Sequence, residues 1–405
     1  MAEAVNLPAL GIRVAVEGFL AGLTGLPVPE AWRTNCAAIC LSGLWPEEGE
    51  GKEALGEAAG EEQILKLREY TAGLPVEWGI ELGQLDPRRA AEAAGTAGIL
   101  TWRGGPLEAY LAVGRPGSLP DFLRNWAQVE DKARAYAEAG AGVRREVRGL
   151  KGTALVPPGL AVALALAEAA LAYERGVRTV RVAYTPCGYL LQDVAAAAAL
   201  RRLAPPGLSV EVTFLLWPGG SLAGPEGATT AGLWTAVTAA LAGAERAEVA
   251  AVEGISSNSE AVAVLLAEAA LLARLAGDQR ASVQAAAREE EELIVAEAEA
   301  ILGRIRELGQ GKWGEGIAAA LSEGSLDVPL AASGVCRGQA LAARDAWGAV
   351  RFLDPGRLPF PPEVKEFHRR RLAERAQSEG RVPGVSLVID DIYALNKGAL
   401  VGRPE

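Results

Sequence analysis

An α/β chain closed into a (β/α)8 TIM-type barrel, with a helical and mixed C-terminal extension, is the architecture this sequence predicts, and three observations predict it. Short β-prone segments recur, each followed by an Ala/Leu/Glu-rich helical stretch, the pattern of βα units on a parallel sheet. Eight such segments fall within about 255 residues, the size of one closed barrel. The 405 residues are 50% apolar, enough to bury a large core.

The expected strands are Leu10–Val16, Ala37–Leu41, Val76–Ile80, Gly98–Trp102, Thr153–Val156, Thr179–Tyr184, Val210–Leu216 and Glu248–Val252. Gly- and Pro-rich surroundings blur the second and fifth. Beyond Ser259 the composition turns helical, over Glu260–Ala276 and then Val283–Leu308, where the run Arg288 to Glu292 reads as an exposed face. Gly309 and Gly311 supply the stop. From about Ser325 the chain becomes Pro-punctuated, with a short helix Pro362–Ser378 and a final strand-like Val385–Ile389. The organisation read from this is a barrel core over 1–258, a helical segment packing on it over 259–324, and a C-terminal extension over 325–405.

Composition removes several function classes. Lys and Arg number 40 against 51 Asp and Glu, a net charge of −11, which argues against a surface tracking nucleic-acid phosphates. The greasiest stretches, such as Leu160–Tyr173, fall short of eighteen uncharged apolar residues, so no membrane span is expected. The N-terminus lacks the basic residues and cleavage pattern of a signal peptide, making the cytoplasm the expected compartment. Cys36, Cys40, Cys187 and Cys336 fit reduced thiols, and Ala37-Ala38-Ile39 between the first two reads as buried strand rather than metal loop.

The single histidine, His368, lies in a charged helix and reads as a surface residue; its isolation removes a Ser-His-Asp triad, a Cys-His pair and a His-rich zinc site. The neighbouring Arg369-Arg370-Arg371, offset by Glu363, Glu366 and Glu374, reads as a solvated face.

Active sites of such barrels form at the carboxyl ends of the strands. The positions to interrogate are therefore Arg13, Ser42-Gly43, Glu81, Arg103-Gly104-Gly105, Pro157-Pro158, Thr185 to Gly188, Trp217 to Gly220, and Glu253 to Asn258. Several are Gly- or Pro-rich turns that a broad, flat ligand could approach closely. Cys187 reads as a packing residue, because no base accompanies it. Asp193 reads as a helix cap. Glu108 and Glu253 read first as solvated loop positions and second as polar site residues.

Two segments are the most specific: Tyr184-Thr185-Pro186-Cys187-Gly188-Tyr189-Leu190-Leu191-Gln192-Asp193-Val194, and the tail Asp390 to Pro404. With Gly152 to Pro158, Trp217-x-Gly219-Gly220, Asp327-Val328-Pro329, Ala343-Arg344-Asp345 and Leu358-Pro359-Phe360, they resemble, in the same order, the large (E) subunit of glutamate mutase, the adenosylcobalamin-dependent methylaspartate mutase. The resemblance covers most of the chain and is strongest from Leu150 onward.

That resemblance implies a barrel closing over adenosylcobalamin held by a small cobalamin-binding partner subunit of flavodoxin-like fold. The Asp-x-His-x-x-Gly motif that ligates cobalt in that partner is absent here. It implies a radical carbon-skeleton rearrangement of L-glutamate to 3-methylaspartate, or of a related small acid, with seclusion and electrostatics supplied by the protein. It also leaves room for self-association. In the family, arginines grip the substrate carboxylates. Arg13 matches the first of these and Arg33 is a loose counterpart of the second.

The third strand carries no arginine where the family has one. On the fourth, Trp102-Arg103-Gly104-Gly105 replaces the family's aromatic-Glu-Gly-Gly, so that Arg103 is expected to meet a substrate bearing a carboxylate or other anionic group where glutamate presents its ammonium. Thr185, Cys187, Gly188, Trp217, Gly219 and Gly220 are the expected cofactor contacts, with Glu253 the nearest acidic candidate for the adenosyl ribose. Two other readings stand beside this one: a non-catalytic or substrate-shifted homologue that keeps the barrel and the docking, and a cofactor-free barrel isomerase, for which no poised base or metal cluster is apparent.

Overall fold

The computed structural model describes residues 10–17, 36–42, 77–82, 86–112, 117–150, 155–217, 224–250, 259–331 and 334–403. Eight parallel strands pair in chain order and close on themselves: β1 (Gly11–Glu17), β2 (Cys36–Ser42), β3 (Glu77–Glu81), β4 (Thr101–Arg103), β5 (Arg144–Val147), β6 (Thr179–Tyr184), β7 (Ser209–Phe214) and β8 (Arg246–Ala250). Closure is made by β1 on β8, with Arg13 level with Glu248. In β6 the alternation is plain: Val180, Val182 and Tyr184 join the apolar shell under the helices, while Arg181 takes the opposite face.

Helices follow the strands: α1 (Arg88–Thr96) after β3, α2 (Pro106–Ala112) and α3 (Leu119–Glu138) after β4, α4 (Pro158–Glu174) after β5, α5 (Leu190–Arg202) after β6, α6 (Gly224–Ala242) after β7, and α7 (Ser259–Gly277) after β8. Pro158 opens α4 at the one turn where a missing N–H costs nothing. This helix is buried nearly all round because α9 (Arg288–Leu308), reached through α8 (Arg280–Ala286), lies over its outer side, with α10 (Trp313–Glu323) beyond. An antiparallel pair, β9 (Leu341–Arg344) and β10 (Val350–Asp354), then leads to α11 (Pro362–Ser378) and α12 (Val385–Leu395). Among the described residues, no helix is long and apolar enough to cross a membrane.

Four expectations are corrected. The fifth strand is Arg144–Val147, not Thr153–Val156: residues 151–154 lie outside the described residues, while Leu155 and Val156 form the turn into α4. Val385–Ile389 opens a helix, because its buried positions, Leu387, Val388, Asp391, Ala394 and Leu395, recur at helical period. His368 is 1% exposed, its Nε2 lying 3.0 Å from Glu297 Oε1 of α9, so only the flanking Arg369 and Arg370 make a solvated face. Within the acidic run of α9, Glu290 turns inward to pair with Arg351.

Candidate active site

Barrel interiors are ordinarily filled by branched aliphatic side chains. Here charged residues occupy alternate positions on several strands and stack into three tiers along the axis. At the amino end Glu77, the first residue of β3, meets Arg144 at 2.5 Å, Arg181 at 2.6 Å and Arg246 at 2.6 Å, and Arg181 also holds Glu211 at 2.9 Å. Burial alone would raise the Glu77 carboxyl; the hydrogen bond and charge of Arg181, aided by Arg246, instead hold it down to about 2.

The middle tier joins four strands. Arg13 Nη1 donates to both oxygens of Glu146 at 2.7 Å, while its Nε and Nη2 donate to Glu248 Oε2 at 3.2 and 2.8 Å. Arg103 Nη2 donates to the same Glu248 oxygen at 3.3 Å, and Arg103 Nε lies 3.1 Å from Glu146 Oε1 without hydrogen-bond alignment. Glu146 is fully buried, yet Arg13 and Arg103 outweigh that burial and hold its carboxyl at about 2. Beside them burial pushes the Cys40 thiol up.

The upper tier stands at the carboxyl ends. Arg148, just past β5, reaches Glu81 at 3.1 Å and Glu108 of α2 at 2.6 Å; Arg103 Nη1 lies 3.9 Å from Glu81. The strand that lacks the expected arginine thus ends in a carboxylate, and the strand that lacks the expected carboxylate ends in Arg103, the two facing each other. Burial pushes Glu108 up to about 7, Arg148 opposing and Glu81 and Glu168 adding to the rise. Glu108 is therefore a buried residue, not the solvated loop position expected of it.

Depressed carboxyls such as Glu77 and Glu146 contribute stability that is present above their unfolded pKa and lost as pH falls towards their folded value. Glu146 supplies of the order of 3 kcal/mol in this way, and the less buried Glu77 a discounted share. Stability measured by denaturant melts is expected to be kept down to about pH 4.5, then to fall steeply towards pH 2; an acid-insensitive melt would remove these pairs from the energetics.

The segments carrying Glu108 and Arg148 are tied together from below by Glu168 of α4. Its Oε1 accepts the backbone N–H groups of Leu107 and Glu108 at 2.9 and 3.0 Å, and its Oε2 those of Arg148 and Gly149 at 3.1 and 2.6 Å. This explains Gly105: a Cβ there would lie 2.1 Å from the Glu168 carboxyl. Arg145 points outward from β5, held by Glu130 of α3 at 2.9 Å, and donates to Gly104 O at 2.8 Å, fixing the same turn from outside.

Around the rim, the β6 loop is organised by Asp193. Its oxygens accept from Cys187 N at 2.8 Å, Gly188 N at 2.9 Å and Tyr184 Oη at 2.9 Å, so it braces the loop ahead of α5 rather than capping that helix. Burial nonetheless pushes its carboxyl up to about 6. Gly188 is left-handed, with φ of 93°, and the place of its missing side chain is taken by the Trp217 indole and Leu400. Cys187 is buried with its thiol pushed well up by desolvation, in keeping with a packing role.

The C-terminal extension clasps this loop. Arg344 Nη2 donates to Cys187 O at 2.5 Å, and Gln192 of α5 exchanges hydrogen bonds with the backbone of Val350 at 2.8 and 3.1 Å. Asp391 of α12 accepts from Arg344 N at 2.7 Å and Gly402 N at 2.9 Å and pairs with Arg375 at 2.9 Å, which anchors the tail on the rim.

Of the substrate and cofactor residues read from sequence, the structure brings Arg13 and Arg103 together in the middle tier and Thr185, Cys187, Gly188 and Trp217 together at the β6–β7 rim. Arg33, Gly219, Gly220 and Glu253 lie outside the described residues. Sequence reasoning missed Glu146, Arg148 and Glu168 and undervalued Glu108. A signal for the strand residues was present, since charge recurs on one strand face, two residues apart in Arg144-x-Glu146-x-Arg148 and Arg246-x-Glu248 and four apart in Glu77 and Glu81.

Residues 64–404 match the family described as Methylaspartate mutase E chain. The chain is 38% identical over 334 residues to a protein of Desulfitobacterium hafniense described as glutamate mutase epsilon subunit, which covers 80% of this chain and 69% of that one. Proteins of the same description from Haloarcula marismortui and Yersinia enterocolitica are 35% and 32% identical, covering 82% and 84% of this chain and 68% and 73% of theirs. A chain that folds into a closed parallel barrel lined with ion pairs, and is matched over most of its length in this way, belongs to the methylaspartate mutase E chain family.

Proposed function

We propose that the protein is the large subunit of an adenosylcobalamin-dependent carbon-skeleton mutase, rearranging L-glutamate to 3-methylaspartate or a closely related acid. It works in the cytoplasm with a small cobalamin-binding subunit of flavodoxin-like fold, and self-association of the large subunit fits the same reading. The observation that carries it is the ionic upper half of the barrel in a chain of this family. Arginines and carboxylates converge at the mouth where a small polar acid must be held.

Arg103 is the proposed carboxylate ligand, since among the described residues its Nε has no hydrogen bond and its Nη1 makes a long approach, 3.9 Å, to Glu81. Nε, Nη1 and Nη2 of Arg13 all donate to Glu146 and Glu248, so it acts on substrate through the carboxylates it shares with Arg103. Arg33 completes the set. The residues at the β6–β7 rim fit the cofactor. Thr185 Oγ1 and Trp217 Nε1 are buried without a hydrogen-bond partner among the described residues, the state of groups that a bound ligand would complete. Thr185, Cys187, Gly188 and Trp217, with Gly219, Gly220 and Glu253, would hold the group, which supplies radical chemistry when bound. This chain's own part is to orient the acid and exclude water.

Anaerobic electron paramagnetic resonance of the two-subunit complex with adenosylcobalamin and a panel of acids headed by L-glutamate tests the proposal. A substrate-triggered radical signal is expected. The saturation of Arg13 by protein carboxylates favours a second reading, a non-catalytic or substrate-shifted homologue. Silence across the panel, with complex formation confirmed, would favour it.

A further inference from the structure

Three of the buried side-chain atoms that lack a hydrogen-bond partner among the described residues gather at the carboxyl mouth: Arg103 Nε, Arg148 Nε and Glu108 Oε2. Arg103 and Arg148 both approach Glu81, Glu108 joins them through Arg148, and Glu108 and Arg148 are further held by their backbones on Glu168. An unpaired buried polar atom costs more than an exposed one, so a cluster of them on rigidly held segments calls for a ligand that completes it.

The charges make the requirement specific. Among the described residues that form ion pairs in the middle and upper tiers, Arg13, Arg103 and Arg148 are three cations and Glu81, Glu108, Glu146 and Glu248 four carboxylates, so one negative charge is left over. Glu146 and Glu248 are each shared by two arginines, and Glu81 approaches two. Glu108 touches one, through Oε1, and its other oxygen is bare. Among the described residues the surplus therefore falls on Glu108, where a proton or a second cation would neutralise it.

We propose that Glu108 is a specificity-determining residue of this site, its bare oxygen taking an ammonium group of the substrate, with Arg148 as the positioning residue that holds the carboxylate by its other oxygen. The assignment rests on the mutase reading above and adds to it a residue outside the expected substrate grip. The groups facing Glu108 are Arg148, Glu81, Glu168 and Arg103, and together with burial they leave it titrating at about 7. An arriving ammonium then replaces a proton, and binding releases it.

The test compares L-glutamate with glutarate, the same diacid without the ammonium, binding to the complex of this chain with its cobalamin subunit. Calorimetry is run at pH 7 in two buffers of different ionisation enthalpy. The wild type is expected to bind L-glutamate about ten-fold or more tightly than glutarate, the effect of one charge-assisted hydrogen bond. It should release roughly half a proton with L-glutamate and none with glutarate. Glu108→Gln should bring the two affinities together and abolish the release. Arg148→Met should move the half-point of release to higher pH by removing the countercharge, a shift that a merely structural role would not produce.

A wild type that binds the two acids alike, or binds neither, overturns the proposal without any variant having to fold. So does a Glu108→Gln complex that keeps the preference and the proton. Failure of the mutase reading is read separately, as a complex that discriminates the two acids yet shows no substrate-triggered radical.

Discussion

Replacing Glu146 by Gln is expected to lower the unfolding free energy by about 3–5 kcal/mol, the cost of removing one partner from a buried ion pair. Glu146 is 0% exposed and answers two arginines at once: both its oxygens take Arg13 Nη1, and its Oε1 lies 3.1 Å from Arg103 Nε. Gln keeps the volume but not the charge, so two guanidinium groups, 2% and 4% exposed, would share the one remaining carboxylate of their tier, Glu248. In a chain of 405 residues the midpoint of thermal unfolding should drop by roughly 4–6 °C. Glu138→Gln makes the contrast, because its pair with Arg134 is exposed on both sides and should change stability by less than about 0.5 kcal/mol. A Glu146→Gln loss no larger than that of Glu138→Gln would mean that the tier contributes nothing net to folding.

The tier also explains which parts of the molecule were legible in the sequence. Strands whose outward residues are apolar and whose flanks are turn-rich, such as Thr179–Tyr184, stand where periodicity puts them. The strand Arg144-Arg145-Glu146-Val147 does not look like one, because Arg144 and Glu146 face ions inside the barrel and Arg145 is spent on Glu130 outside. Hydropathy assumes an oily interior, so it passed over this segment in favour of Thr153–Val156, of which Leu155 and Val156 lead into a helix. The same assumption sent Glu108 and His368 to the surface, although each is buried against a partner more than 35 residues distant, Arg148 and Glu297 respectively. No local pattern announces a partner at that separation. In Val385–Ile389, β-branched residues outvoted a helical period that becomes visible only when Asp391, buried by Arg375, is counted with the core. The motif Leu191-Gln192-Asp193 was recognisable as a string, but its meaning is tertiary: Gln192 fastens β10, and Asp193 braces the turn at Cys187 and Gly188.

Glu168→Gln is the second substitution expected to act strongly, and it separates positioning from simple charge. The carboxylate offers two acceptor oxygens to four backbone N–H groups, two on the Leu107–Glu108 turn and two on the Arg148–Gly149 turn. An amide keeps one acceptor and turns the other into a donor. Whichever way it is oriented, two N–H groups then face an NH2, and the loss is expected at about 2–4 kcal/mol, one to two unsatisfied buried donors. The turn that faces the amide must also shift, carrying either Glu108 or Arg148 away from the other. A displacement of about 1 Å at such a site costs on the order of 100-fold in turnover. On the function proposed above, stability in denaturant melts and substrate-triggered radical yield should therefore both fall, in a protein that still forms its complex with the proposed cobalamin subunit. A variant that loses stability but keeps full radical yield would show that the four hydrogen bonds hold the barrel together without setting the geometry of its mouth.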